Sequence, residues 1–373
     1  MRKHFFCYSS PTGSLTEAIR DCLDQYEQFL GRFTSPHPLH CVFFTADADN
    51  TAYLETKARL SAALGGTFHH FSCIGQAPYR SRLAMEITLL DNPHHEFSVK
   101  EKTAGSARYT AIESETEKEI YASGLCGDLA QSIASQTEDV FRQAQEILRA
   151  EDMDFSQVYR QWNYIERIID FDPASQGRKQ HYQIFNDIRS DYYANSEFAN
   201  GFPAATGIGM DCGGIILDII ASRGRRTKHV PIVNPDQLDA HCYTQAVLIG
   251  DAFDERNEKS TPKFERAKYV ECAYNHSLYI SGTAAIKGET TVPSTDIREQ
   301  TRITLDNISK LHYNESEKWP YRHMRAYVKR PEDIPVVRSM CIDYFGDIPM
   351  QFLKADVCRD NLIVEIEAEI DLI

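Results

Sequence analysis

Leu278 to Leu311, LYISGTAAIKGETTVPSTDIREQTRITLDNISKL, is the stretch whose reading decides the fold. Leu278, Tyr279 and Ile280 are strand formers that stop at Ser281-Gly282, where the backbone can turn without steric cost. Asp296 and Glu299 have the spacing of an N-terminal capping pair. Behind them Ile297, Thr301, Leu305, Ile308 and Leu311 recur every three or four residues, which gives a helix one buried face. The stretch reads as strand, turn, loop and amphipathic helix.

The same plan occurs earlier. Ile120-Tyr121-Ala122-Ser123-Gly124 answers Leu278-Tyr279-Ile280-Ser281-Gly282, and Ser135 to Glu138 opens a helix that turns Val140, Phe141, Ala144, Ile147 and Leu148 inward. Tyr164-Ile165 parallels Tyr327-Val328, and Leu217-Asp218-Ile219-Ile220-Ala221 parallels Val364-Glu365-Ile366-Glu367-Ala368. Landmarks repeated in one order imply a tandem duplication. The expected division is an N-terminal α/β extension over 1–66, a first unit over 67–228 and a second over 229–373.

Composition bounds the function. The 373 residues are 42% hydrophobic and 25% charged, the balance of a soluble globular chain, and the net charge of −14 argues against a nucleic-acid or anionic-membrane surface. An anionic ligand therefore needs a local basic pocket. Ten scattered cysteines without a Cys-x-x-Cys pair suggest neither a zinc site nor a disulfide framework, and fit reduced thiols in a cytoplasmic protein. No apolar run reaches membrane-spanning length.

In the extension, Ser14 and Glu17 form a capping box ahead of a helix to Leu30, Cys41 to Thr45 is a buried strand, and Thr51 to Leu64 is a helix ended by Gly65-Gly66. Further on, Thr67 to Cys73 and Leu83 to Leu90 read as strands, and His181 to Ala194 as a helix. Gly201 to Gly209 is a run of small residues that allows close backbone approach; without a following Lys-Ser or Lys-Thr it is not a phosphate loop. A charged loop is expected over Asp251 to Lys259. In the closing strand, Ile363 to Ile370, Glu365, Glu367 and Glu369 share one face, where mutual repulsion predicts that at most one is buried.

Strands followed by a helix and a closing glutamate-rich strand resemble the Rid (YjgF) fold. The resemblance implies an α+β protein: two tandem Rid-like domains, each a mixed β-sheet packed on helices. Rid enamine/imine deaminases hold the substrate carboxylate with an arginine where this chain has Met350. A narrower set is similar to the chorismatase family: Trp162-Asn163-Tyr164, Phe185-Asn186 with Arg189, Pro203 to Gly209, Asn234-Pro235 with Gln237, Pro262 with Phe264 and Arg266, Ser281 to Ala284, and Cys358-Arg359 with Val364 to Glu367. That resemblance implies removal of pyruvate from chorismate, leaving a hydroxybenzoate or a dihydroxycyclohexadiene carboxylate, with no metal or organic cofactor. Its partner is a small anionic metabolite, and the assembly is either a monomer or a Rid-like trimer. The chain departs from the family at Glu166, Asp236 and Glu289, positions assigned to substrate loops.

Chorismate is an enol ether with two carboxylates, so cleavage needs a proton for the terminal methylene carbon and cations for both anions. A buried glutamate keeps its proton near neutral pH. By its place in the motif, Glu365 is the candidate acid. Arg338, Arg266 and Arg189 are candidate carboxylate ligands because a guanidinium binds a carboxylate through two hydrogen bonds. Tyr243 is a candidate hydroxyl donor, and Ala284 and Cys358 are expected to shape the pocket around the ring. The alternatives are a Rid-type deaminase and a non-catalytic metabolite-binding protein of the same fold.

Overall fold

The computed structural model describes residues 2–252, 258–273, 275–312 and 319–372, so 253–257 of the expected charged loop lie outside the described residues. Three sheets follow one another along the chain. The first is built from β1 (Arg2–Tyr8), α1 (Leu15–Leu30), β2 (Pro36–Thr45), α2 (Asn50–Leu64), β3 (Ser72–Ile74) and β4 (Leu83–Asp91), in strand order β1-β4-β2-β3. The second contains β5 (Ser98–Ala104), β6 (Ala107–Glu113), β7 (Glu117–Cys126), α3 (Ile133–Ala150), β8 (Val158–Glu166), α4 (His181–Tyr193), β9 (Ala204–Met210) and β10 (Ile215–Gly224), in order β5-β6-β7-β10-β8-β9.

The third contains β11 (Lys228–Ile232), β12 (Ala267–Cys272), β13 (Asn275–Ala284), a small ribbon of β14 (Ile286–Lys287) and β15 (Thr290–Thr291), α5 (Ile297–Ser309), β16 (Tyr321–Val328), α6 (Ile334–Phe345), β17 (Met350–Lys354) and β18 (Val364–Asp371). Its order, β11-β12-β13-β18-β16-β17, repeats that of the second sheet. In both, only the last pair, β8 with β9 and β16 with β17, is parallel. The α+β tandem architecture is therefore present. Each unit packs its own pair of helices on one face: Val140, Phe141, Ile147 and Ile184 in the first, Leu305, Ile308, Val337 and Cys341 in the second.

The structure corrects the expected division in two ways. Strands β3 and β4 belong to the first sheet, so the boundary at 66/67 falls inside it, and the chain changes sheets between Asp91 and Ser98. The extension also has the topology of the tandem units without their first two strands. Its order β1-β4-β2-β3, with β2 and β3 parallel, matches β7-β10-β8-β9. The chain thus holds three related units, the first truncated.

A second correction concerns register. Ser123-Gly124 and Ser281-Gly282 are both bulges, lying opposite Asp218 and Glu367 respectively. Cys126 pairs with Ile216, and Ala284 with Glu365. Asp218 is therefore the counterpart of Glu367, and Ile216 that of Glu365, two residues from the alignment read off the sequence. A strand pair with a bulge carries one extra residue on one side, and composition alone does not reveal where it falls.

The three units meet in a cycle of buried polar contacts. Asp218 of the second sheet accepts from Ser72 (2.6 Å) and contacts His40 Nε2 (2.9 Å) of the first sheet. Glu367 of the third accepts from Trp162 Nε1 (2.8 Å) and Thr206 of the second. Glu86 of the first is held by Arg325 of the third (2.6 Å). Consequently the helix and outer strand of each unit cover the closing strand of the next, leaving one cleft at each of three junctions.

Helix starts follow their caps. Glu17 N donates to Ser14 Oγ and Ser14 N to Glu17 Oε2, closing the expected box, while Asp296 accepts from Arg298 N (2.9 Å). Helix α3 begins three residues before the expected opening because Ser132, not Ser135, is its cap. All ten cysteines are free thiols. No described helix is long and apolar enough to cross a membrane.

Candidate active site

The cavity at the junction of the tandem units spans about 690 Å³ including its open mouth. Its floor is β13 and β18: Gly282 and Ala284 on one strand, Glu365 on the other, adjacent across the ladder. A methyl group at Gly282 would sit 2.1 Å from Glu365 Oε1, so only glycine lets the carboxyl lie against this backbone. The facing wall comes from the preceding unit: Tyr182, Gln183 and Asn186 of α4, and Ala205 and Gly207 of β9. Tyr243, Val247, Leu248 and Ile249 line a further side, and Phe264, Arg266, Cys358 and Arg359 complete the lining.

Glu365 is 5% exposed, and no side-chain hydrogen bond to it is present among the described residues. Burial, reinforced by the neighbouring charge of Glu367, raises its pKa to about 8, so the carboxyl stays protonated at pH 7. Glu367, two residues along on the same face, is the opposite case. It is bound by Arg160 (2.8 Å), Arg325 (3.2 Å), Trp162 and Thr206, and its pKa lies below the ordinary value: burial opposes ionisation, but the two guanidiniums outweigh it. Glu369 is also buried and is paired with Arg2 (2.6 Å), Arg322 and His323. All three glutamates are thus buried, against the expectation of at most one. The first two sheets and the flanking strand β16 supply the cations that the strand taken alone does not show.

Two guanidiniums line the cavity without a carboxylate partner among the described residues. Arg266, 3% exposed, donates to Tyr243 Oη (2.8 Å) and to the Leu238 carbonyl, leaving Nε without a partner. Arg359 donates to the Glu289 carbonyl (2.8 Å) and lies over the Tyr243 ring. A desolvated guanidinium lacking an anion costs free energy, which a bound carboxylate recovers. Arg189 is fully enclosed and also lacks a carboxylate. It does not line the cavity, but Nη2 bonds Asn186 Oδ1 (2.5 Å), and Asn186 does line it.

Of the residues singled out from the sequence, Glu365, Arg266, Tyr243, Ala284 and Cys358 meet in this cavity. Burial pushes the Cys358 thiol up to about 12, so it is a neutral wall group. Arg189 stands behind the cavity, and Arg338 lies elsewhere. Arg338 is exposed on α6 and lines the separate cleft between the third and first sheets, with Tyr8, Tyr79, Arg80 and Met350. The reason is the cyclic packing: the helix after β16 covers the next unit's strand, never its own glutamate. The departures also fall elsewhere than assigned. Glu166 bonds Asn50 and Gly214 N, Asp236 pairs with Lys310 (2.6 Å), and only Glu289 acts at the mouth, accepting from Thr244 N (2.7 Å) and Oγ1 (2.8 Å).

Sequence reasoning missed Tyr182, Gln183 and the stretch from Val247 to Ile249 as lining groups. The signal was available in the duplication, since a cleft shared by two units draws one wall from each.

The family described as "Chorismatase FkbO/Hyg5-like, N-terminal" matches residues 96–221. This chain is similar to the chorismatase family over that stretch. It is 30% identical over 236 residues to a 3-hydroxybenzoate synthase of Streptomyces hygroscopicus, covering 58% of this chain and 64% of that protein. It is 32% identical over 176 residues to a chorismatase of the same organism, covering 44% and 48%. The aligned parts thus span under two thirds of these relatives. A solved chorismatase structure matches with a TM-score of 0.68 at 20% identity, covering 99% of this chain and 98% of the other. The fold of that structure therefore extends over the whole chain.

Proposed function

We propose that this protein is a member of the chorismatase family that removes pyruvate from chorismate, with Glu365 as general acid. The observation that carries the reading is a buried carboxyl, without a hydrogen-bond partner and protonated at neutral pH, facing a cavity whose two guanidiniums lack anions. The names of the relatives support the same substrate class.

Glu365 donates its proton to the methylene carbon of the enol ether, generating an oxocarbenium ion at the adjacent carbon. The resulting carboxylate is steadied by the positive charges of Arg160 and Arg266, which favour its ionised form. Arg266 and Arg359 hold substrate carboxylates, and Tyr243 orients Arg266 through its hydroxyl. Arg189 acts through Asn186 as a positioning residue. Release with one water gives a dihydroxycyclohexadiene carboxylate and pyruvate; release without water gives a hydroxybenzoate and pyruvate. Ala284 and Cys358 flank the ring and bear on which product forms. Carbon is slow to accept a proton, and burial that keeps the acid loaded near pH 7 is the protein's contribution.

Incubation with chorismate should release pyruvate, and chromatography should identify the ring product. Glu365→Gln should bind chorismate and release pyruvate roughly 10²–10⁴-fold more slowly. Chorismate bound without turnover by the wild type would replace this reading with a metabolite-binding role. The deaminase alternative gains no support, because the β9 position equivalent to Met350 that faces Glu365 is Ala205, which has no charge.

A further inference from the structure

The junction between the first sheet and the first tandem unit carries a second cleft, of about 1240 Å³ including its mouth. It repeats the cavity above position by position. Gly124 stands for Gly282 and Cys126 for Ala284. Phe71 stands for Ala205, since Ser72 binds Asp218 as Thr206 binds Glu367. Thr110 pairs with Tyr121 as Lys268 pairs with Tyr279, so Arg108 occupies the register of Arg266. Gly124, Cys126, Phe71 and Arg108 all line this cleft. The acid is missing: Ile216 takes the place of Glu365.

Two independent features point to a ligand. Arg108, exposed where Arg266 is buried, has no carboxylate partner among the described residues, and α2 adds Lys57, whose Nζ lies 3.2 Å from Cys126 Sγ. Ser123, 3% exposed, lines the cleft with a buried hydroxyl that has no hydrogen-bond partner. Its counterpart Ser281 is fully used, donating to the Glu265 carbonyl (2.6 Å) and accepting from Ala205 N (2.9 Å). The one acidic group in the lining, Glu101, is turned to His69 (3.4 Å). His70 is engaged by Thr110 and Ser123 N, and burial keeps it neutral.

We infer that this cleft is a second binding site for a small cyclic carboxylate, held by Arg108, Lys57 and Ser123 and, lacking an acid, not turned over. The test uses the full chain and 3-hydroxybenzoate, read by calorimetric stoichiometry and by soaked crystals. The wild type should take two molecules per chain. Arg108→Glu should lower this to one while leaving any pyruvate release within twofold, and Cys126→Phe, which fills the cleft, should do the same. Arg266→Ala should keep the molecule at Arg108. One molecule per chain in both wild type and Arg108→Glu, or density only beside Glu365, would overturn the inference. Binding is read directly, so failure of chorismate turnover leaves this test intact.

Discussion

Glu365 and Glu367 lie on one face of one strand, both buried, and behave oppositely. Glu367 faces the preceding unit at its polar centre and is wrapped by Arg160, Arg325, Trp162 and Thr206. Glu365 faces a hollow and holds its proton. The contrast shows that burial is not what distinguishes a reactive carboxyl. What distinguishes it is whether partners have been supplied, and here the ionised neighbour helps to hold the proton on the unpartnered one.

The strongest way to break the contrast is Glu365→Gln. Pyruvate release should fall by roughly 10²–10⁴-fold, the usual contribution of a general acid. In the wild type the protonated form is the active one, so release should decline as pH rises through about 8. Glu367→Gln should act on stability first. It leaves Arg160 without its carboxylate in the interior while Arg325 keeps Glu86, and breaking a buried pair from one side costs about 3–5 kcal/mol, read as a lowered denaturant midpoint. With the negative charge gone, the alkaline limb should also move to lower pH.

Arg266→Ala removes a charged partner for substrate. A charge-assisted hydrogen bond is worth about 1.5–3 kcal/mol, so kcat/KM should fall by roughly 10- to 150-fold with the fold intact. A smaller effect sharpens the contrast through linkage. The Glu365 pKa is raised in the folded state, so the folded chain keeps a proton that the unfolded chain releases. That stabilisation is complete below pH 4.5 and is lost as pH rises to about 8. Wild type should lose stability relative to Glu365→Gln across that window in paired melts. Arg338→Ala should change pyruvate release by less than twofold, because its guanidinium lies at a different junction.

The repeat of Tyr-x-Ser-Gly ahead of a capped helix made the tandem units legible, as the matching strand orders show. Five of the seven candidate residues line one cavity, because they sit on the closing strand, its neighbour or the loops beside them. Arg189, named from the sequence as a carboxylate ligand, stands one residue back from the cavity, behind Asn186. Arg338 was misplaced because guanidinium chemistry alone does not say which junction its helix faces. The kinship of residues 1–91 with the other units escaped notice because their first two strands are missing and no Ser-Gly bulge marks them.

By itself the sequence determined the local grammar: which segments alternate, where helices are capped, and that one acid-bearing strand closes each tandem unit. Those are properties of neighbours in the chain, fixed by periodicity of two or 3.6 and by turn chemistry. Only the tertiary structure decided which glutamate keeps its proton and which unit walls it in. A carboxyl's charge state depends on the guanidiniums and solvent around it, and in a ring of three units those surroundings come from another part of the chain.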